Sequence, residues 1–476
     1  LELLITSLAL GIISFFIPRN SIKIFGLFGS FVSLGIACIH LINFNPESPV
    51  TLFETQSMPF GLTFHLGYDG LGLMMIALTN FIIPIILLSN YNNSSTSGSP
   101  LFHALVFFMQ FGLLGVFSSE DGIMFYTFWE FTLIPIFLIL YWFGNGTNKI
   151  LLKFFIYTLF GSLAMLASFI ALGLNANSFD YQDLVAATIP NEQACWIFTG
   201  IMLAFAVKIP IFPFHTWQPD TYTTAPMSGT MLLSALMLKM ALFGMIKWLL
   251  PIVPEGLFEM KWVIIVLSIL GLLYAAVMCI KQNDIKRLFA YASISHLGLI
   301  AAGIVIFSKD ALVGASVQIV NHSLIAVGLF LIAEILESRL KTRELNQMNG
   351  NATLAPKFGF WFAIIAFASV SVPFTAGFIG EFTLLKVLTD TNIWIGVISA
   401  TTLVFGAVYT LRAYQLSMFG APKLESFEDL RWNELTVFVI LSAAILLFGL
   451  FPQLISDLVG PSLERYITLF NASTSH

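Results

Sequence analysis

The chain has 476 residues, 58% hydrophobic and only 10% charged, with a mean hydropathy of +0.89. Soluble domains carry about 25% charged residues, so the composition excludes a soluble fold and leaves no basic surface for nucleic acid; the solvent is a lipid bilayer. The formal charge of −5 identifies no partner, because the two signs are distributed unevenly along the chain.

At about 20 residues per span, the apolar runs predict an all-α polytopic protein of about fourteen transmembrane helices. They lie at 2–17, 23–43, 69–89, 102–119, 122–142, 154–173, 194–212, 228–250, 261–281, 288–306, 311–335, 358–388, 391–417 and 433–455. The first run, Leu3 to Pro18, lacks a basic leader and a clear small-residue cleavage site, so it is expected to be retained as a span. Cys38, Cys195 and Cys279 fall in or beside apolar segments without CxxC spacing, so no disulfide, iron–sulfur centre or zinc site is inferred.

The basic residues support this count. Loops after odd-numbered helices hold 14 of the 21 Lys and Arg, among them Arg19, Lys149, Arg287, Arg343, Arg412 and Lys423, whereas the even loops and the tail hold only Lys261, Lys309 and Arg465. The positive-inside rule then puts the odd loops in the cytoplasm and both termini outside.

Two helices read as broken. Helix seven contains Val-Lys-Ile-Pro-Ile-Phe-Pro-Phe-His (207–215), and helix twelve contains Val-Ser-Val-Pro-Phe-Thr-Ala-Gly-Phe-Ile-Gly (370–380). Proline removes a backbone donor and frees a carbonyl, which a membrane tolerates only beside protein or water. The breaks are five helices apart. Two five-helix units of odd length must insert with opposite orientation, and paired breaks in inverted repeats point to a transport path. The expected divisions are 1–101 (helices one to three), 102–250 (four to eight), 251–417 (nine to thirteen) and 418–476 (helix fourteen and tail).

Ionisable residues inside these spans carry the functional argument, since a charge at mid-bilayer costs about 2.5–3.5 kcal/mol on insertion scales. Glu130 lies mid-span in helix five, and Lys208 beside the first break is its expected partner. Such a pair is a switch: Lys208 keeps its proton with the carboxylate close and releases it when the two separate. Lys239 lies mid-span in helix eight, too deep to snorkel easily. Lys247 and Lys386 are nearer helix ends and are expected to snorkel. His296 and His322 each fit either a hydrogen-bonded core histidine or a proton relay within a Ser-, Asn- and Tyr-containing polar chain. Glu381 follows the second break as the terminal acceptor or donor. His215, Trp217, Asp220 and Thr221 fit a structural cap and a cytoplasmic proton inlet equally well. Asp284 is expected to cap helix ten. No nucleotide-binding glycine loop occurs, nor His pairs with haem or zinc spacing, so the chain is expected to hold no cofactor.

The stretches Val-Lys-Ile-Pro-Ile-Phe-Pro-Phe-His-Thr-Trp-Gln-Pro-Asp and Asp-Ile-Lys-Arg-Leu-Phe-Ala-Tyr-Ala-Ser-Ile-Ser-His-Leu-Gly resemble the antiporter-like subunits of respiratory complex I and their relatives in multisubunit cation/proton antiporters. The resemblance covers about 60–455. It implies fourteen helices with inverted five-helix repeats and matches Glu130, Lys208, Lys239 and His296 to the family's glutamate, two lysines and histidine. Two branches of the family carry lysine at the helix-twelve position, where Glu381 within Gly-Phe-Ile-Gly-Glu-Phe is similar to the M-type branch, as is Gly-Tyr-Asp-Gly-Leu-Gly-Leu at 67–73. The largest relative carries a long lateral C-terminal helix, whereas this sequence stops shortly after helix fourteen. The implied activity is proton translocation in the membrane arm of NADH:quinone oxidoreductase in a bacterial inner membrane. NADH, FMN, iron–sulfur clusters and quinone would reside in partner subunits, and neighbouring antiporter-like chains would flank this one. A Na⁺/H⁺ antiporter subunit, a membrane-bound hydrogenase subunit and a structural spacer are the alternatives.

Overall fold

The computed structural model describes residues 1–48, 50–57, 63–93, 95–422 and 425–474; Lys423, counted above among the basic loops, lies outside them. Its helices are α1 (Glu2–Ser14), α2 (Ile22–Asn43), α3 (Gly70–Ser89), α4 (Pro100–Ser118), α5 (Gly122–Phe143), α6 (Asn148–Ala176) and the short α7 (Tyr181–Ala186). Then come α8 (Asn191–Lys208), α9 (Trp217–Thr224), α10 (Met227–Leu232), α11 (Lys239–Gly244), α12 (Pro254–Lys281), α13 (Ile285–Ile304) and α14 (Lys309–Leu340). The chain closes with α15 (Asn351–Leu354), α16 (Pro356–Ser369), α17 (Ala376–Thr391), α18 (Ile393–Met418), α19 (Trp432–Leu450) and α20 (Gln453–Thr474). A hairpin of β1 (Thr51–Ser57) and β2 (Thr63–Tyr68) precedes α3.

Among the described residues, eleven helices are long and apolar enough to cross a membrane. Here α10, α11 and their two π-helical turns, Leu233–Met237 and Met245–Leu249, count as one span, Met227–Leu249. Adding α1 and the two interrupted helices, α8 with α9 and α16 with α17, gives fourteen. Both interruptions fall where the prolines predict, at 209–216 and 370–375.

The loops sort into two faces by parity. On one face Lys23 reaches the Tyr91 carbonyl, Asn145 N–H donates to the Thr224 carbonyl, Arg343 donates to the Thr223 carbonyl and Arg412 to the Gln282 carbonyl. These all follow odd-numbered spans. On the other face β2 bridges Ser119, the Glu120 N–H donates to the His65 carbonyl, and Asp121 bridges Asp180. Any miscount by one helix would mix the two sets. The basic loops therefore share a face.

Two elements were not legible. The β-hairpin was read as loop, and α20 was read as the end of span 433–455 plus a tail. The chain instead leaves α19 at Leu450, turns through Pro452 and runs on as a separate helix. This helix packs closely on α3: the Gly70 N–H donates to Ser462 Oγ at 2.9 Å, and a Cβ on Gly70 would sit 1.9 Å from the Leu458 carbonyl oxygen.

The outer helices turn apolar side chains such as Ile42, Phe160, Leu174 and Trp394 outward, as a lipid-facing surface requires. The central helices α3, α4, α13, α14 and the Met227–Leu249 span are almost wholly buried. Lys239, His296 and His322 lie on these central helices rather than on the lipid face.

Candidate functional site

Lys239 Nζ donates to His322 Nδ1 at 2.8 Å and to the Ser234 carbonyl, and the side chain is 0% exposed. The carbonyl is available because the backbone widens into a π turn at Leu233–Met237, with Leu238 N–H bonded back to Leu233 at 3.3 Å. Ser323 Oγ from α14 captures the next carbonyl, Ala235, at 2.7 Å. An ammonium in hydrocarbon needs such partners, and among the described residues none of Lys239's is a carboxylate.

His322 Nε2 lies 3.0 Å from Ser293 Oγ on α13. The His296 ring follows at 6.2 Å between centroids. Its Nδ1 faces Glu381 Oε1 at 2.9 Å. Gln318 Nε2 also donates to Glu381 Oε1, at 3.1 Å, and Asn321 donates to Gln318 Oε1 at 3.3 Å. Both His322 and Gln318 are on α14 four residues apart, and so on one face. Gly380 lets α17 approach α14 here: a Cβ would lie 2.6 Å from Gln318 Oε1.

Lys239, His296 and His322 lie eleven to thirteen residues into their helices, roughly 16–20 Å at 1.5 Å per residue. Glu381, 4% exposed, reaches the same depth because the break at 370–375 starts α17 inside the membrane. The polar axis is therefore at mid-depth and runs across the helices, parallel to the membrane.

The structure does not bring Glu130 and Lys208 into contact. Among the described residues no ion pair closer than 4 Å joins them, although each acts on the other electrostatically. Lys208, 2% exposed, lies 5.3 Å from the Trp129 ring. Glu130 Oε1 is buried without a hydrogen-bond partner on a half-buried face of α5.

At the first break, Trp217 Nε1 donates to the Val207 carbonyl at 2.9 Å. This satisfies a group left free by the interruption, so Trp217 serves as a structural cap. Asp220 binds Lys153 at 2.9 Å and Arg287 at 3.2 Å on the basic face, and Thr221 Oγ1 donates to the Trp217 carbonyl. His215 stacks against Phe212 and meets Tyr274 edge-on, with ring centroids 5.5 and 4.9 Å away. Asp284 caps α13 as expected, accepting from the Lys286 and Arg287 N–H groups.

One expectation fails. Lys247 does not snorkel; it is 1% exposed and pairs with Glu120 at 2.6 Å. It points into a pocket walled by Tyr181 of α7 and Tyr466 of α20. Lys386, by contrast, is half exposed beside Asp310 at 3.7 Å. Sequence reasoning also passed over Gln318, although its i, i+4 spacing to His322 was a readable signal.

Comparison with known proteins decides the family. The family model described as NADH:quinone oxidoreductase/Mrp antiporter, TM, matches residues 119–406. The chain is 31% identical over 472 residues to NADH-quinone oxidoreductase subunit M of Rhodobacter capsulatus, covering 95% of this chain and 92% of that one. The chain belongs to the NADH:quinone oxidoreductase/Mrp antiporter membrane family. Within this family it is also 35% identical over 443 residues to subunit M of Rickettsia conorii, covering 90% and 89% of the two chains. Among solved structures it superposes on a chain of respiratory complex I from Thermus thermophilus with TM-score 0.91, at 27% identity and 98% and 99% coverage. A chain of the Mrp complex from Dietzia sp. DQ12-45-1b shares the fold at TM-score 0.86 and 20% identity, with 98% of this chain matching 52% of that one.

Proposed function

We propose that this chain is the M-type antiporter-like subunit of an NADH:quinone oxidoreductase and carries protons along the buried axis. The observation that supports the reading is the polar line Lys239–His322–His296–Glu381 lying between two broken helices of opposite direction. Lys208, at the first break, takes up a proton from the basic-loop side, which the positive-inside rule makes cytoplasmic. Lys239 and the two histidines pass it laterally, each imidazole gaining a proton on one nitrogen and losing one from the other. Glu381 delivers it to the opposite face. Glu130, partly exposed and separated from Lys208, is placed to sense a neighbouring antiporter-like chain and to pull the Lys208 charge back when it approaches.

Moving one charge against 100 mV takes about 2.3 kcal/mol. In this reading the energy comes from electron transfer in partner subunits, which hold NADH, FMN, iron–sulfur clusters and quinone, while this chain holds no redox group. The test is NADH-driven proton pumping by the assembled complex in vesicles carrying Lys208→Ala or Glu130→Ala. Loss of pumping with normal assembly supports the relay; unchanged pumping and coupled activity sink it.

A further inference from the structure

The span Met227–Leu249 carries a second buried lysine at its far end. Lys247 and Glu120 are 1% and 3% exposed and 2.6 Å apart, on the face opposite the basic loops. Lys247 lies inside the π turn Met245–Leu249, whereas Lys239 stands two residues past the π turn Leu233–Met237, so the two lysines are eight residues, or about 12 Å, apart on one span. Such turns are rare and recur at functional sites.

The pair borders open space. Together with Asp69, Tyr181, Glu255 and Tyr466 it lines a cavity of about 830 Å³. Within the wall, Tyr181 Oη and Glu255 Oε2 are buried without hydrogen-bond partners, and Tyr466 donates to Asp69. Two further titratable groups, His65 and Asp180, pair with each other beside Glu120, and Arg465 completes the rim. Burial pushes the Glu120 carboxyl up from its usual range, against the pull of Lys247. Aromatic rings pack around the lysine. Phe243 and Trp248 lie 5.9 and 6.0 Å from Lys247 Nζ, and Phe117 packs edge-on against Phe243 at 5.2 Å.

We propose that Glu120 and Lys247 form a proton-exchange site for the first helix unit, opening to the face opposite the basic loops. This rests on the proton-translocation reading above. One proton moves from the Lys247 ammonium to the Glu120 carboxylate, leaving an amine and a carboxylic acid. Glu120 gives that proton to water in the cavity and is again a carboxylate. Lys247 then regains a proton from the relay of the first unit, which restores the ion pair.

Two variants of the assembled complex, assayed in inverted membrane vesicles, separate this from a purely structural pair. Lys247→Arg keeps the cation and the pairing but does not give up a proton. The double variant Glu120→Gln/Lys247→Met removes both charges together, a replacement that is often neutral for stability. A structural pair predicts wild-type protons per NADH in both. The proposal predicts at least a twofold fall in each at equal content of assembled complex, and because Lys247→Arg keeps the pair it decides the matter if the double variant does not assemble. Lys239→Ala is the parallel control. If it abolishes pumping while Lys247→Arg pumps normally, the exchange site is overturned and the relay stands. If neither changes pumping, the relay reading fails first.

Discussion

Replacing Glu381 with Gln tests the end of the axis with little change of shape. The carboxylate accepts two hydrogen bonds, from His296 Nδ1 at 2.9 Å and Gln318 Nε2 at 3.1 Å. The Gln carbonyl still accepts both, so each bond falls from charge-assisted to neutral. The difference is about 1 kcal/mol per bond, or about 2 kcal/mol in all, which leaves the subunit folded and inserted. The loss of a proton acceptor is far larger. A positioned acid or base contributes about 10²–10⁴ in rate, so proton delivery through the axis should slow by at least about a hundredfold. The assay is NADH-driven acidification of inverted vesicles, normalised to assembled complex and to electron-transfer rate. Glu381→Asp provides the graded control. It keeps an acceptor but withdraws it by about 1.5 Å, one carbon–carbon bond, so its activity should fall between wild type and Gln. A Glu381→Gln complex that assembles normally and pumps at the wild-type ratio would refute the assignment of Glu381 as the delivering group.

Two further outcomes follow from the packing. Trp217→Phe removes the hydrogen bond to the buried Val207 carbonyl and should cost about 1–3 kcal/mol, read as a lower thermal midpoint of the detergent-solubilised complex. Gly380→Ala places a Cβ 3.0 Å from the Gln318 backbone nitrogen as well as against its side chain. Overpacking of this kind costs about 1–3 kcal/mol, and the separation of α17 from α14 should weaken pumping together with stability.

The division between what was legible and what was not follows the range of the forces. The number of spans, the two proline breaks and the mid-span charges could be read locally, because a bilayer charges each helix separately for every polar group it carries. Asp284 as a cap and Lys239 as a deep lysine were legible for the same reason. The Lys247 error has the opposite origin. Its nearness to a helix end suggested water, but Tyr181 of α7 and Tyr466 of α20, distant in sequence, wall the pocket into which it points. Glu120 lies between two spans in the sequence and is buried only because the β-hairpin and α7 pack beside it, its N–H donating to the His65 carbonyl and its carbonyl accepting from the Tyr181 N–H.

The sequence by itself therefore determined that this is a membrane protein, how often it crosses, which loops share a face, and which charges must have a protein-lined interior. Only the tertiary structure decided which of those charges touch. Hydropathy is a property of one segment and its solvent. A hydrogen bond between Lys239 and His322 spans 83 residues and one between His296 and Glu381 spans 85. Such contacts are set by how helices pack, by two π turns that re-aim lysines, and by glycines such as Gly380 that let backbones meet. Packing also separated Glu130 from Lys208 and joined Glu120 to Lys247.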